Sequence, residues 1–438
     1  MNRNDVIQLK LDLAQVGFPV SDNPNDYFGV VTEQSVKAFQ RAHGLTVNGI
    51  ANQQTLHRLS QEIAQQTTIY EFSMKERFGH GVGMTQWGAY GMALNGHKYS
   101  EILNYYYTNV SVGVDQQYLN QLIRVALGIQ INLANISSST RYSIVDTNGQ
   151  MIAANLTGTS SVQYGSRGNG TFVITNGNQT FETRNEFSVR TDGVGTIQYN
   201  GNHYLGEMRL MKSYVMSGNS SVKSNYVMDV VNVVGMDDYL NGVVPYEMIP
   251  SWNQIEAFKA QAIASRTYAL YRLRQTGNFD VYDDTRSQVY HGVPQGDRNS
   301  VLMQRAISET SGVVIKYNNR LIDAIYSASA SGHTVDASYM WGNNVAYLKG
   351  VPDPYDVSRF NNVSSTYEIS LIELSELGGF SSMNLGKVVD LEFTTQFERL
   401  INVNVTFERG SSRYTADQFR QIVGTNYLPS NIMSIRTK

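Results

Sequence analysis

Glu247 is the residue whose surroundings most suggest chemistry. It is a lone carboxylate among apolar and aromatic neighbours, in Val243-Val244-Pro245-Tyr246-Glu247-Met248-Ile249-Pro250-Ser251-Trp252-Asn253. If Met248 and Trp252 cover it, desolvation favours the protonated form, by up to ~3–5 pK units at complete burial. A helix starting just afterwards pulls the other way, because a helix N-terminus favours the anion by about 0.3–1 kcal/mol. Where burial wins, the group is a general acid near neutral pH. Where it does not, the same residues describe a partly solvated glutamate in a capping turn.

Two further stretches carry polar chemistry. His80 lies in Gly79-His80-Gly81-Val82-Gly83-Met84, where glycines allow a tight loop. This loop has no phosphate-loop lysine and no dinucleotide spacing, and a histidine in such a place is commonly a structural hydrogen-bonding residue. The loop Ser327-Ala328-Ser329-Ala330-Ser331-Gly332-His333-Thr334 is dense in hydroxyls, with Trp341 and Tyr347 nearby. Hydroxyls, amides and aromatic faces suit sugar recognition, and a solvated polar loop has the same composition.

The elements that must hold these groups are legible in outline. Asn253 to Glu256 reads as an N-cap with a glutamate three residues on. Phe258, Ala262 and Ala269 come next at helical spacing, with Gly277 as the stop. Helices are expected from Thr85-Gln86 and from Tyr99, and a strong strand over Tyr226–Val234. Residues 110–225 alternate β-prone runs with Asn-Gly turns, as at Asn176-Gly177 and Asn200-Gly201, which predicts hairpins. Val313–Tyr317 and Leu321–Tyr326 read as a hairpin turning at Asn318-Asn319. At the start, Val6, Leu9, Leu13 and Val16 share a helical face that Gly17 ends. A turn-rich link runs from Ser21 to Asp26. Thr32 is expected to cap a second helix and Thr55-Leu56 to begin a third, with Gln61–Thr68 as a polar linker.

The 438 residues hold more than one domain, and only 16% are charged, against about 25% in typical soluble domains. A net charge of -3 argues against nucleic acid or an anionic membrane as partner. Cysteine is absent, which removes disulfides, thiolate metal sites and a cysteine nucleophile. No apolar run reaches the ~18–20 residues of a membrane span. The residues from Met1 to Asp5 lack an apolar core, so no secretory signal is expected within this stretch.

The order Phe28-Gly29, Thr32, Val36, Phe39-Gln40, Gly44-Leu45, Val47, Gly49-Ile50, Thr55, Leu59 resembles the peptidoglycan-binding domain of bacterial wall enzymes. Gly242–Met248 with Ala257–Ala269 after it resembles the signature of the SpoIID/LytB family. Further matching blocks are Asp283–Tyr290, Tyr326–Thr334, Trp341 and Tyr414–Arg420, together with Gly79–Ala93. The resemblance implies peptidoglycan remodelling. Sporulation members are lytic transglycosylases that cleave MurNAc–GlcNAc linkages of peptide-stripped glycan, and relatives are named amidase enhancers. By position, Glu247 is the implied catalytic acid. His80, Gln86, Tyr246, Arg266, Gln288, Tyr290, Ser327, Ser329, Ser331 and Thr334 are the implied substrate-binding residues. Some members bind zinc through Cys and His near the block equivalent to 280–291. Without cysteine no such metal site is expected here, nor any cofactor.

The expected fold is α+β and multi-domain. It comprises a three-helix module (1–66), the Gly-His-Gly segment (67–112), a β-rich scaffold (113–225) and a SpoIID-like catalytic domain (226–438). In the family the Gly-His-Gly block normally lies after the C-terminal Phe-Arg segment, whereas here it comes first. Ile69–Met74 is therefore expected to pair with the strand near Ile432–Ile435, bringing His80 against the Glu247 domain. Expected partners are glycan strands and, alternatively, a wall amidase, in the cell wall or outside the cell. The alternatives are a two-carboxylate glycosidase using Asp283 or Asp284, and a non-catalytic amidase enhancer.

Overall fold

The computed structural model describes the chain except residues 1–2, 21–23, 76–78, 166–169, 215–225, 275, 359–362, 398 and 431–432. Ser21, Asp22, Asn23, Phe78 and Ile432, which belong to the stretches read from sequence, lie outside the described residues. The chain divides into two compact units, Met1–Arg77 with Arg359–Lys438, and Phe78–Ser358.

In the first unit, the helices Arg3–Gln15, Val30–Ala42 and Gln53–Thr67 bury Leu9, Leu13, Val36, Phe39 and Leu59 against one another. Thr32 does not cap the second helix. Gly29 holds that position, and Thr32 is buried one turn in. The expected polar linker is the end of the third helix, whose N-cap Asn52 accepts the Thr55 N–H. The strand Ile69–Lys75 then lies between Val363–Ser370 and Met433–Thr437, antiparallel to both, with Phe72 opposite Tyr367 and Ile435. The expected pairing of Ile69–Met74 with the C-terminal strand is present. It explains why the 226–438 boundary fails: both flanking strands are tied to Ile69–Lys75 by backbone hydrogen bonds, so residues 359–438 belong with the first 77.

In the second unit, the expected separate scaffold of 113–225 shares its sheet with strands from later in the chain. One seven-stranded sheet has the order Val281–Tyr282, Leu122–Ile131, Tyr226–Gly235, Glu207–Tyr214, Phe187–Thr191, Tyr142–Asp146, Met151–Leu156. Strands from before and after residue 225 are therefore direct neighbours. The Asn176-Gly177 and Asn200-Gly201 hairpins form as predicted. The Asn318-Asn319 turn also forms, with both residues at positive φ, but its second strand is only Arg320–Leu321.

The helix Ile255–Tyr271 is buried nearly all round, among helices Val301–Glu309, Gln86–Leu94 and Tyr99–Tyr106. Its capping differs from the expectation. Asn253 takes a left-handed conformation closing the turn Pro250–Trp252, and Gln254 is the N-cap. Glu256 instead accepts the N–H of Tyr99 at 2.9 Å, at the start of the neighbouring helix. The helix stops at Tyr271, well before Gly277.

Helix Gln86–Leu94 is fixed at its start by a buried knot. Thr85 caps it by accepting the Gly88 N–H, donates to Asp353 at 2.5 Å, and Tyr106 donates to the same carboxylate at 2.8 Å. Burial pushes the Asp353 carboxyl up to about 6 from 3.8, the two hydroxyl donors notwithstanding. With the folded pKa raised, this group's stabilising contribution is complete below the unfolded value and is lost as pH rises through about 6. The rise is worth about 3 kcal/mol. In urea titrations, Asp353→Asn should gain on the wild type by up to about that amount between pH 4 and 7. A stability gap that is flat with pH, or moves the other way, would contradict a buried, reluctantly ionised Asp353.

Candidate active site

Two residues of parallel strand assemble the site: Met84–Thr85 pairs with Tyr326–Ser327. The approach demands glycine beside it. A Cβ on Gly83, at φ +73°, would lie 2.0 Å from the Ile325 carbonyl oxygen, and one on Gly79 would lie 2.5 Å from Ser327 Cβ. The pairing delivers Gln86 and Tyr326 to Glu247.

Glu247 ends the one-turn helix Val244–Glu247, ahead of the long helix that begins at Ile255. It opens on a cleft of about 570 Å³ lined by Gly79, His80, Tyr268, Arg272, Thr285–Ser287, Val289, Ile325–Ser327 and Trp341. One carboxylate oxygen accepts the Val289 N–H at 3.1 Å, and the other accepts the Gln86 amide at 3.3 Å. Tyr326 also hydrogen-bonds to it. Burial nevertheless dominates these anion-favouring contacts and raises the carboxyl above its ordinary value. Trp252 is stacked on Tyr90 at 4.6 Å, and the cleft wall beside the acid is built from Tyr268 and Tyr326.

Behind Tyr326 runs a buried polar chain. Tyr239 donates to the Gln288 carbonyl at 3.0 Å, and the Gln288 amide donates to the Tyr326 hydroxyl at 2.9 Å. The same hydroxyl also accepts from Ser265 at 3.5 Å. Along the long helix, Gln261 donates to Ser265 at 3.0 Å, and Arg272 covers the Tyr268 ring at 3.4 Å.

The residues named from sequence fall into three groups. His80, Gln86 and Ser327 join Glu247 at the cleft, and Gln288 acts one contact behind it. Tyr246 packs against His291 at 4.7 Å and Arg298 at 4.8 Å, outside the described cleft lining. The remaining expectations of direct substrate contact are corrected. Arg266 is wholly buried, paired with Asp237 at 3.0 Å and with the Val313 and Ile307 carbonyls. Tyr290 is buried, donates to Asn232 at 2.7 Å, and borders a different cavity of about 460 Å³ with Leu205 and Asn241. The Ser329 hydroxyl and Ser331 N–H are both held by Asp356, and Thr334 pairs with Val351. These three shape the loop rather than face the cleft. Sequence reasoning missed Tyr268, Arg272 and Tyr326 as site residues. The signal for Tyr268 and Arg272 was a polar stripe, Gln261-Ser265-Tyr268-Arg272, at helical spacing along a mostly buried helix and its C-cap.

Asp283 and Asp284 are not among the described cleft-lining residues. Asp284 is held low by Arg286 at 2.7 Å, while burial pushes Asp283 up to about 6.

Comparison with known proteins agrees with this architecture. Residues 224–317 match the family described as stage II sporulation protein, SpoIID, and residues 2–59 match the putative peptidoglycan binding domain. The chain thus carries a SpoIID-type region and a peptidoglycan-binding-type region. It is 39% identical over 117 residues to the amidase enhancer of Bacillus subtilis, and 30% identical over 140 residues to stage II sporulation protein D of the same organism. An uncharacterized protein of Brachyspira hyodysenteriae is 30% identical over 227 residues. These matches span 27%, 29% and 48% of this chain, and 15%, 40% and 55% of the respective relatives. The chain thus covers about half or less of the relatives it matches. Among the described residues, no helix is long and apolar enough to cross a membrane.

Carbon NMR of the Glu247 side-chain carboxyl should show titration above 4.5, and Gln86→Leu should raise it further by removing a donor to the anion. A downward move on losing Gln86, or titration below 4.5, would contradict this electrostatic assignment.

Proposed function

We propose that this protein cleaves the glycan strands of peptidoglycan as a lytic transglycosylase, with Glu247 as its single acid–base group. The carrying observation is that Glu247 is the one carboxylate among the described residues lining its cleft, and that burial favours its protonated form. A hydrolase needs a second carboxylate at ~5–5.5 Å or ~6.5–9.5 Å to act on water or the anomeric carbon. A transglycosylase needs one, because its nucleophile is the substrate's own 6-hydroxyl, tethered at high effective concentration.

In this reading Glu247 protonates the oxygen leaving between MurNAc and GlcNAc. As the anion it is held by the Val289 N–H, the Gln86 amide and Tyr326. It then accepts the proton of the attacking hydroxyl, which regenerates the acid and leaves a 1,6-anhydro end. Gln288 positions Tyr326 for the anionic stage. The match of residues 2–59 to a peptidoglycan-binding family supports a place in the cell wall, with the N-terminal helices as the retaining element. The similarity to an amidase enhancer supports a second reading, in which the chain recruits or stimulates a wall amidase without cutting glycan itself.

Purified, peptide-stripped glycan incubated with the protein should yield anhydro-MurNAc ends by mass spectrometry. Glu247→Gln should slow this by about 10²–10⁴-fold, while Asp283→Asn should stay within a few-fold of wild type. Undiminished cleavage by Glu247→Gln would remove the assigned role, and intact glycan with the wild type would leave the enhancer reading.

A further inference from the structure

We propose that Trp341 is the platform on which one pyranose ring of the glycan stacks, at the rim of the Glu247 cleft. This rests on the glycan-cleaving reading and assigns a subsite within that cleft. Trp341 lines the cleft yet is 48% exposed. Its apolar area left in water favours burial under a ligand.

The ring is held in place. Trp341 ends the helix Ala337–Trp341, and Gly342 comes next in the left-handed conformation at φ +81°. The His80 ring meets the indole edge-on, with centroids 5.2 Å apart, and His80 is itself oriented by accepting the Val82 N–H at 3.0 Å. At the other end of the helix, Asp336 accepts from the Gly350 N–H at 2.7 Å and from Lys349 at 3.1 Å, which closes the loop that carries it. A rigid, half-exposed aromatic face loses little entropy on contact, which is what the C–H face of a sugar requires.

The other aromatic groups are engaged. Tyr268 is covered by Arg272, and the other two of the chain's three tryptophans, Trp87 and Trp252, pack on each other at 4.6 Å. His80 on this account is a positioning residue that buttresses Trp341.

The test is steady-state cleavage of peptide-stripped glycan by the full chain. Trp341→Ala should raise KM roughly tenfold and leave kcat within about threefold, the signature of lost uniform binding. Trp341→Phe should restore KM to within about threefold of wild type, because a ring remains. An unchanged KM in Trp341→Ala, or Trp341→Phe as impaired as Trp341→Ala, overturns the platform while cleavage itself stands. Absence of cleavage by the wild type overturns both.

Discussion

The close parallel pairing of Met84–Thr85 with Tyr326–Ser327 is the constraint on which the cleft depends. Two residues of strand supply little free energy of their own, so the junction is held from outside. Asp353 gathers Thr85 and Tyr106, and Asp356 gathers the Ser329–Ser331 loop. Both side chains are buried, and at Asp353 the two hydroxyl donors only partly offset the cost of desolvating its charge. The return is geometric. A segment early in the chain and one more than two hundred residues later meet to place an amide and a phenol on one carboxyl group.

That carboxyl is then governed by opposing influences of similar origin. Burial disfavours its charge, while Val289, Gln86 and Tyr326 favour it. An acid that must both donate and recover a proton needs this balance, since a fully stabilised anion would never be protonated and an unsupported one could not form. Asp283 is also raised by burial, but no described contact carries it to the cleft lining. Asp284 is committed to Arg286. Position rather than proton affinity separates Glu247 from its neighbours.

Much of this was legible in the sequence where the signal was local. The N-terminal helices obeyed their apolar periodicity, the Asn-Gly turns made hairpins, and the pairing of Ile69–Met74 with the C-terminal strand formed as expected. Glu247 stood out because apolar residues surround it in sequence, and Tyr268 and Tyr326 from elsewhere in the chain line the same cleft. What failed depended on distant partners. Arg266 looked available for substrate, but Asp237 and two carbonyls claim it. The hydroxyls of the serine-rich loop looked like sugar ligands, yet Asp356 takes up Ser329 and the Val351 backbone engages Thr334. Domain limits failed for the same reason, because strand neighbours in both units come from far apart in the chain.

The central claim is that a sugar hydroxyl, and not water, attacks at the bond Glu247 protonates. Cleavage of peptide-stripped glycan in water enriched with oxygen-18 tests it directly, with mass spectrometry of the new ends. The account predicts ends that carry no heavy oxygen; one heavy oxygen incorporated per bond broken would contradict it.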